Sequence, residues 1–243
     1  MTSFTLIAFV GFLLGIRHAT DPDHVIAVTT IVSKQRGVLT AGMIGAIWGF
    51  GHTLTIFFVG AAIILFKIEI PIWLGLSMEL AVGLMLILLG FLNLTGMLKR
   101  LTLKFMPKHA SHSVEYGFAL LKLGIKSRQS IGMWNLTRPL VVGIVHGLAG
   151  SAAVALLVMT TIHDPSWEIA YLLIFGFGTV LGMMLITTLI AIPFAYTFQR
   201  FSALNHGMAY ASGLLSICFG LFISYQTCIA GGLFTDHPNW TPH

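Results

Sequence analysis

The chain has 243 residues, of which 56% are hydrophobic and only 9% charged, against roughly 25% charged in an ordinary soluble domain. That balance excludes a soluble globular domain and defines a membrane protein. The formal net charge of +5 would suggest nucleic acid as a partner in a soluble protein, but basic loops beside anionic lipid account for it, so nucleic acid binding is discarded.

In chain order, the apolar runs are Ser3 to Ile16, Thr40 to Phe66, Ile72 to Leu98, Leu140 to Thr161, Ile169 to Ile192 and Ala203 to Ile229. Most reach the about 20 residues that a helix needs to span hydrocarbon. The fold class expected is all-α: a polytopic membrane protein with six transmembrane helices. The first run is long enough only if its helix continues to about Val32, which places the polar stretch RHATDPDHV of residues 17–25 at membrane depth. No basic residue precedes that run and no small-residue cleavage pattern follows it, so it is expected to stay in the mature protein. Residues 99–139 contain no long apolar run and read as a basic linker, within which YGFALLKLGIK (116–126) suits a surface-lying amphipathic piece. The organisation expected is residues 1–98, a linker over 99–139, and residues 140–243 with a short tail.

Lysine and arginine between spans set orientation. Of the thirteen basic residues, all but Arg17 and Lys67 fall in loops after odd-numbered spans, whereas the opposite loops carry Glu69, Asp164 and Glu168. The basic loops are therefore expected in the cytoplasm and both termini outside it, in a multi-pass protein of the inner (plasma) membrane. Cys218 and Cys228 lack the spacing of a disulfide framework or a zinc site and read as packing residues.

Three segments recur in the same order. GIRH at 15–18 matches GIVH at 143–146, WGFGHTL at 48–54 matches FGFGTVL at 175–181, and GLMLILLG at 83–90 matches GLLSICFG at 213–220. An odd number of spans per half makes the second half enter from the opposite face. Two inverted three-helix repeats follow, with a pathway expected at their interface near mid-membrane.

Ionisable groups inside a span cost several kcal/mol each unless paired, hydrated or bound. Arg17, His18, Asp21, Asp23 and His24 crowd into eight residues. On an ideal helix His18, Asp21 and His24 share a face and Asp23 points away. Pro22 spoils that ideal, because it cannot donate a backbone proton and interrupts helices, which frees carbonyls and can turn Asp23 toward the histidines. His52 lies in the following span, joined by a short turn. Imidazole with carboxylate suits nickel, cobalt, copper, zinc or iron better than calcium or magnesium. The bland alternative is a structural plug in which Arg17 pairs with Asp21 or Asp23. His146 holds the repeat position of His18, but GLAGSAA follows it where the first half has ATDPDHV. It reads as a pathway group or as packing. Glu79, two turns into the third span, reads either as a group drawing cations inward or as a bundle contact. His109 and His112 in the basic linker read as solvated, with metal transfer at the cytoplasmic mouth as the other possibility.

The stretch RHATDPDHV resembles the HxxxxDH signature of the nickel/cobalt transporter family, and GFGHT resembles that family's partner motif in the next helix. By position the resemblance implies His18, Asp23, His24 and His52 as metal ligands. From the residues themselves, Arg17 and Asp21 read as groups that orient ligands and balance charge, and Glu79 and His146 as pathway groups. It implies Ni²⁺ or Co²⁺ as the transported ion and no prosthetic group. Better-known members commonly have eight spans and an acidic motif where this chain has GIVHGLAGSAA. The shorter form is similar to the urease-accessory, nickel-supplying branch, which implies a cytoplasmic metal acceptor or urease maturation proteins as partners. Uptake is the reading favoured, with an exporter of the same superfamily or a membrane-embedded metalloenzyme as alternatives. The expectation is a non-enzyme, since the repeated histidine boxes of di-iron enzymes are missing and no serine or cysteine nucleophile stands out.

Overall fold

The computed structural model describes residues 2–35, 37–66, 71–96, 133–148, 165–235 and 238–239. The region expected as a first continuous span is two helices, α1 (Thr2–His18) and α2 (Pro22–Val32). The break has a local cause. Proline at the first position of α2 has no backbone proton to give and biases Asp21 to an extended ψ of 143°. The amides of Thr20 and Asp21 close a tight turn on the carbonyls of Arg17 and His18, at 2.8 and 3.1 Å. At 17 and 11 residues, the two pieces are about 25 and 16 Å long, and neither crosses the about 30 Å of hydrocarbon alone.

Next come α3 (Val38–Phe66), α4 (Ile72–Leu94), α5 (Met133–Gly147), α6 (Pro165–Arg200) and α7 (Ser202–Tyr225), the last running into a π-helical turn over Gln226–Ala230. All regular structure among the described residues is helical. Four stretches, not the expected six, are long and apolar enough to cross a bilayer unaided: Val38–Phe66, Ile72–Leu94, Ser166–Thr197 and Ala203–Ala230. The shortfall has two sources. Pro22 divides the first run, and the fourth, expected over Leu140 to Thr161, is described only as far as residue 148. Helix α5 starts at Met133 and so takes in the last residues of the stretch read as linker. His109, His112 and the 116–126 piece lie outside the described residues.

The outer surface is apolar. Phe9, Leu13, Phe58, Leu84, Leu88, Phe177, Leu189, Leu214 and Phe222 are exposed, while histidine, threonine, serine and asparagine are buried. That inversion of the soluble pattern suits hydrocarbon as solvent, and the protein is a membrane protein. Buried hydroxyls satisfy themselves on the preceding helical turn, as Thr30 does on Ile26 (2.9 Å) and Thr179 on Phe175 (3.0 Å). Others join helices: Thr55 donates to the Ile144 carbonyl (3.1 Å), Ser216 to Leu86 (2.8 Å) and Asn93 to Ala209 (3.0 Å).

Glycine sets the approach of the long helices. A methyl group placed on Gly11 would strike Tyr171, one on Gly15 would strike Phe175 and Thr179, and one on Gly182 would strike Ile16 and Ala19, so α1 and α6 run parallel. The Gly143 site meets Trp48 and His52 and the Gly147 site meets His52 and Thr55, which makes α5 parallel to α3. Gly83 abuts Gly220 while Gly90 abuts Gly213, so α4 and α7 are antiparallel. Gly42 faces Thr188 and Gly176 faces Thr53, which sets α3 antiparallel to α6. Helices α1 and α5 therefore approach from opposite ends. The short helix α2 packs against α4, α6 and α7, with Ala27, Val28 and Val32 in one core with Trp48, Leu86 and Met183.

Candidate metal centre

The break between α1 and α2 sets the site. His18 is the last residue of α1, Asp21 lies in the break, and Asp23 and His24 belong to the first turn of α2. Trp48 and His52 stand one turn apart on α3, and His146 is in the last turn of α5. Close approach of α5 at Gly143 and Gly147 seats His146 against that turn of α3. The C-terminal ends of α1 and α5 both point at the centre, and their partial negative charge favours a cation there.

All four histidines are buried, His52 and His146 completely. His24 sits in the middle: its ring centroid is 4.7 Å from that of His18, 4.9 Å from His52 and 4.3 Å from His146. Asp21 accepts from His18 Nδ1 at 2.7 Å, and the Nε2 atoms of His18 and His52 lie 3.0 Å apart. Asp23 spans two rings, with Oδ1 3.0 Å from His24 Nδ1 and Oδ2 3.0 Å from His146 Nε2. Oδ1 also accepts the His24 backbone N–H at 2.9 Å.

These contacts assign tautomers. Neutral rings that donate from His18 Nδ1, His24 Nδ1 and His146 Nε2 to carboxylates leave lone pairs on the opposite nitrogens. His18 Nε2 then accepts from His52. The remaining lone pairs, on His24 Nε2, His146 Nδ1 and His52 Nδ1, are buried without a partner. Leaving a buried polar atom unpaired costs about 1–3 kcal/mol. Here three acceptors on neighbouring buried rings are left unpaired, and a cation is the group that satisfies such acceptors.

Donor atoms gather as two groups within 4.8 Å: His18, His24 and His52, and Asp23, His24 and His146. The expected residues His18, Asp23, His24 and His52 are thus neighbours, with Asp23 turned to the His146 side. His146, read from sequence as pathway or packing, is in the cluster. Asp21 stands behind His18. Among the described residues, Arg17 makes no ion pair with either aspartate; its side chain is exposed beside the break, so the Arg17-plug arrangement is not formed. Glu79 is half-buried on α4, outside both donor groups. Thr179, the counterpart of His52, spends its hydroxyl on Phe175. Sequence reading passed over Trp48, which is buried with its ring centroid 5.6 Å from those of both His24 and His146. Its signal was the one-turn spacing from His52.

A helical membrane protein with an intramembrane histidine–aspartate cluster is the class these observations define. The chain is 38% identical over 228 residues to the urease accessory protein UreH of Bacillus sp. (strain TB-90), covering 92% of each chain, and it belongs to the UreH family. The relative is accessory to an enzyme and carries no enzyme's name. Two Arabidopsis thaliana chloroplast proteins, FOR GROWTH AND FERTILITY 2 and 1, are each 26% identical over 89% of this chain. The match takes in 55% and 58% of their lengths, so the chain spans little more than half of either. No protein-family model matches, and no solved structure matches.

Proposed function

We propose that the chain carries a divalent transition ion, Ni²⁺ before Co²⁺, across the plasma membrane into the cell. One observation carries the reading: three buried imidazole lone pairs without partners, beside a carboxylate, at a helix break inside an apolar bundle. His18, Asp23, His24 and His52 are the ligands assigned, in keeping with the HxxxxDH resemblance, and Asp21 orients His18. Mixed imidazole and carboxylate favours a borderline ion over Ca²⁺ or Mg²⁺. The relative's designation as a urease accessory protein and the resemblance to the nickel-supplying branch favour nickel, with urease maturation proteins as cytoplasmic receivers.

The pathway lies between two inverted repeats. In the sequence matches Gly15 corresponds to Gly143, Trp48 to Phe175 and His52 to Thr179. The contact of Gly15 with Phe175 and Thr179 therefore returns, with halves exchanged, as that of Gly143 with Trp48 and His52. The pair Gly83–Gly220 returns likewise as Gly90–Gly213. The antiparallel setting of α3 with α6 supports a two-fold relation in the membrane plane.

An inside-negative potential favours entry of a divalent ion by about 4.6 kcal/mol per 100 mV, twice the single-charge value. In liposomes with an imposed potassium diffusion potential, Ni²⁺ uptake is expected to follow the potential and to weaken in acid as protons compete for imidazole. Uptake indifferent to both potential and pH gradient would contradict potential-driven import.

A further inference from the structure

We infer that the cluster holds one ion at a time in either of two overlapping positions that share His24, and that transport passes the ion from one to the other. The inference rests on the metal-transport reading and deepens it by assigning a ligand role to His146.

The donors do not close on one point. Those of His18, His24 and His52 lie within 4.8 Å of one another, as do those of Asp23, His24 and His146, but the two groups have only His24 in common. Donors on a common ion with bonds of about 2.1 Å stand about 3 to 4 Å apart, so each group needs only a small closure to bind. Merging them needs a larger one. Asp23 is committed to one side, with its two oxygens 3.0 Å from His24 Nδ1 and His146 Nε2. His18 and His52 face each other on the other side, 3.0 Å between their Nε2 atoms. His24 has two ring nitrogens, and the neutral ring offers its one lone pair at either of them by moving its proton to the other.

His18 and His146 hang from different parts of the bundle. His18 ends α1, which packs on α6, and His146 ends α5, which packs on α3. A shift of α1 against the α3–α5 pair, which carries both His52 and His146, moves His18 relative to the other donors, and the ion passes from His18 and His52 to Asp23 and His146 around the His24 ring, whose proton changes nitrogen as it passes. Such an exchange replaces ligands stepwise, so the ion is never bare in a low-dielectric interior, where an unpaired charge is most costly. The positions also differ in charge. One offers three neutral imidazoles, and the other two imidazoles and a carboxylate.

The full-length chain in nanodiscs is titrated with Co²⁺, whose visible absorption reports its ligand set, and the same variants are assayed for Ni²⁺ uptake in liposomes. Glutamine replaces histidine to keep a polar side chain of similar size, and monodispersity and helical content are checked for each variant. Wild type is expected to bind one ion. His146→Gln and His52→Gln are each expected to bind one ion with spectra that differ from each other, with affinity changed less than the about 100-fold upper range of an outer partner's loss, while uptake falls by more than that. His24→Gln is expected to bind none. Identical spectra for His146→Gln and His52→Gln, or unchanged uptake by His146→Gln, would overturn the two-position scheme while leaving metal transport standing. Failure of wild type to bind Co²⁺ or to move Ni²⁺ would instead remove the reading beneath it.

Discussion

In the proposed metal site, His18 depends on a neighbour that never needs to touch the ion. Asp21 accepts from its Nδ1 at 2.7 Å, which fixes the tautomer and turns Nε2 inward; losing such an outer partner typically weakens metal binding by about 10- to 100-fold. Asp21→Ala is therefore expected to raise the Kd for Ni²⁺ by about that factor with the fold retained, since the side chain is 40% exposed, and calorimetry on the variant checks it. Arg17→Ala, on an exposed side chain without a carboxylate partner among the described residues, should leave the Kd unchanged. His18, Asp23, His24 and His52 were legible in the sequence because ionisable residues have few reasons to lie in an apolar span. His146 was not, since GLAGSAA strips away the acidic neighbours that mark its counterpart, and a lone histidine defaults to packing. Trp48 looked like any other large residue of an apolar helix.

At the scale of elements, the recurring GIRH and GIVH segments place glycine where a helix must lie flat on another backbone. Overpacking such a contact costs typically 1–3 kcal/mol. Gly15→Ala and Gly143→Ala are each expected to lower the Tm in detergent, because the added methyl group meets a carbonyl rather than a movable side-chain end. Gly207→Ala in α7, where nothing lies within 4 Å, is expected to raise stability by roughly 0.5–1 kcal/mol through helix propensity alone. Equal Tm changes for all three would contradict the packing described. Apolar run length located the long helices α3, α4, α6 and α7 in the sequence. It overcounted free-standing spans because it treats residues 3–32 as one stretch, whereas Pro22 makes two helices of them. The proline marked the place, but not that Asp23 would turn to a histidine more than a hundred residues away.

For the whole molecule, the bias of basic residues to one set of loops predicts both termini outside the cytoplasm. In a background with Cys218 and Cys228 replaced, an impermeant thiol reagent added to intact cells should label Thr2→Cys and Thr241→Cys and leave Lys122→Cys unlabelled until the membrane is opened. Labelling of Lys122→Cys alone would invert the orientation and turn the acidic loops inward. The central claim is that the buried histidine–aspartate cluster is where a divalent metal crosses the membrane, and His24 stands at its middle. Radiolabelled Ni²⁺ uptake into liposomes, measured under an inside-negative potential for wild type and His24→Gln at equal, folded protein content, tests it most directly. The account predicts uptake by wild type and no uptake above protein-free liposomes for His24→Gln, and equal uptake by the two would contradict it.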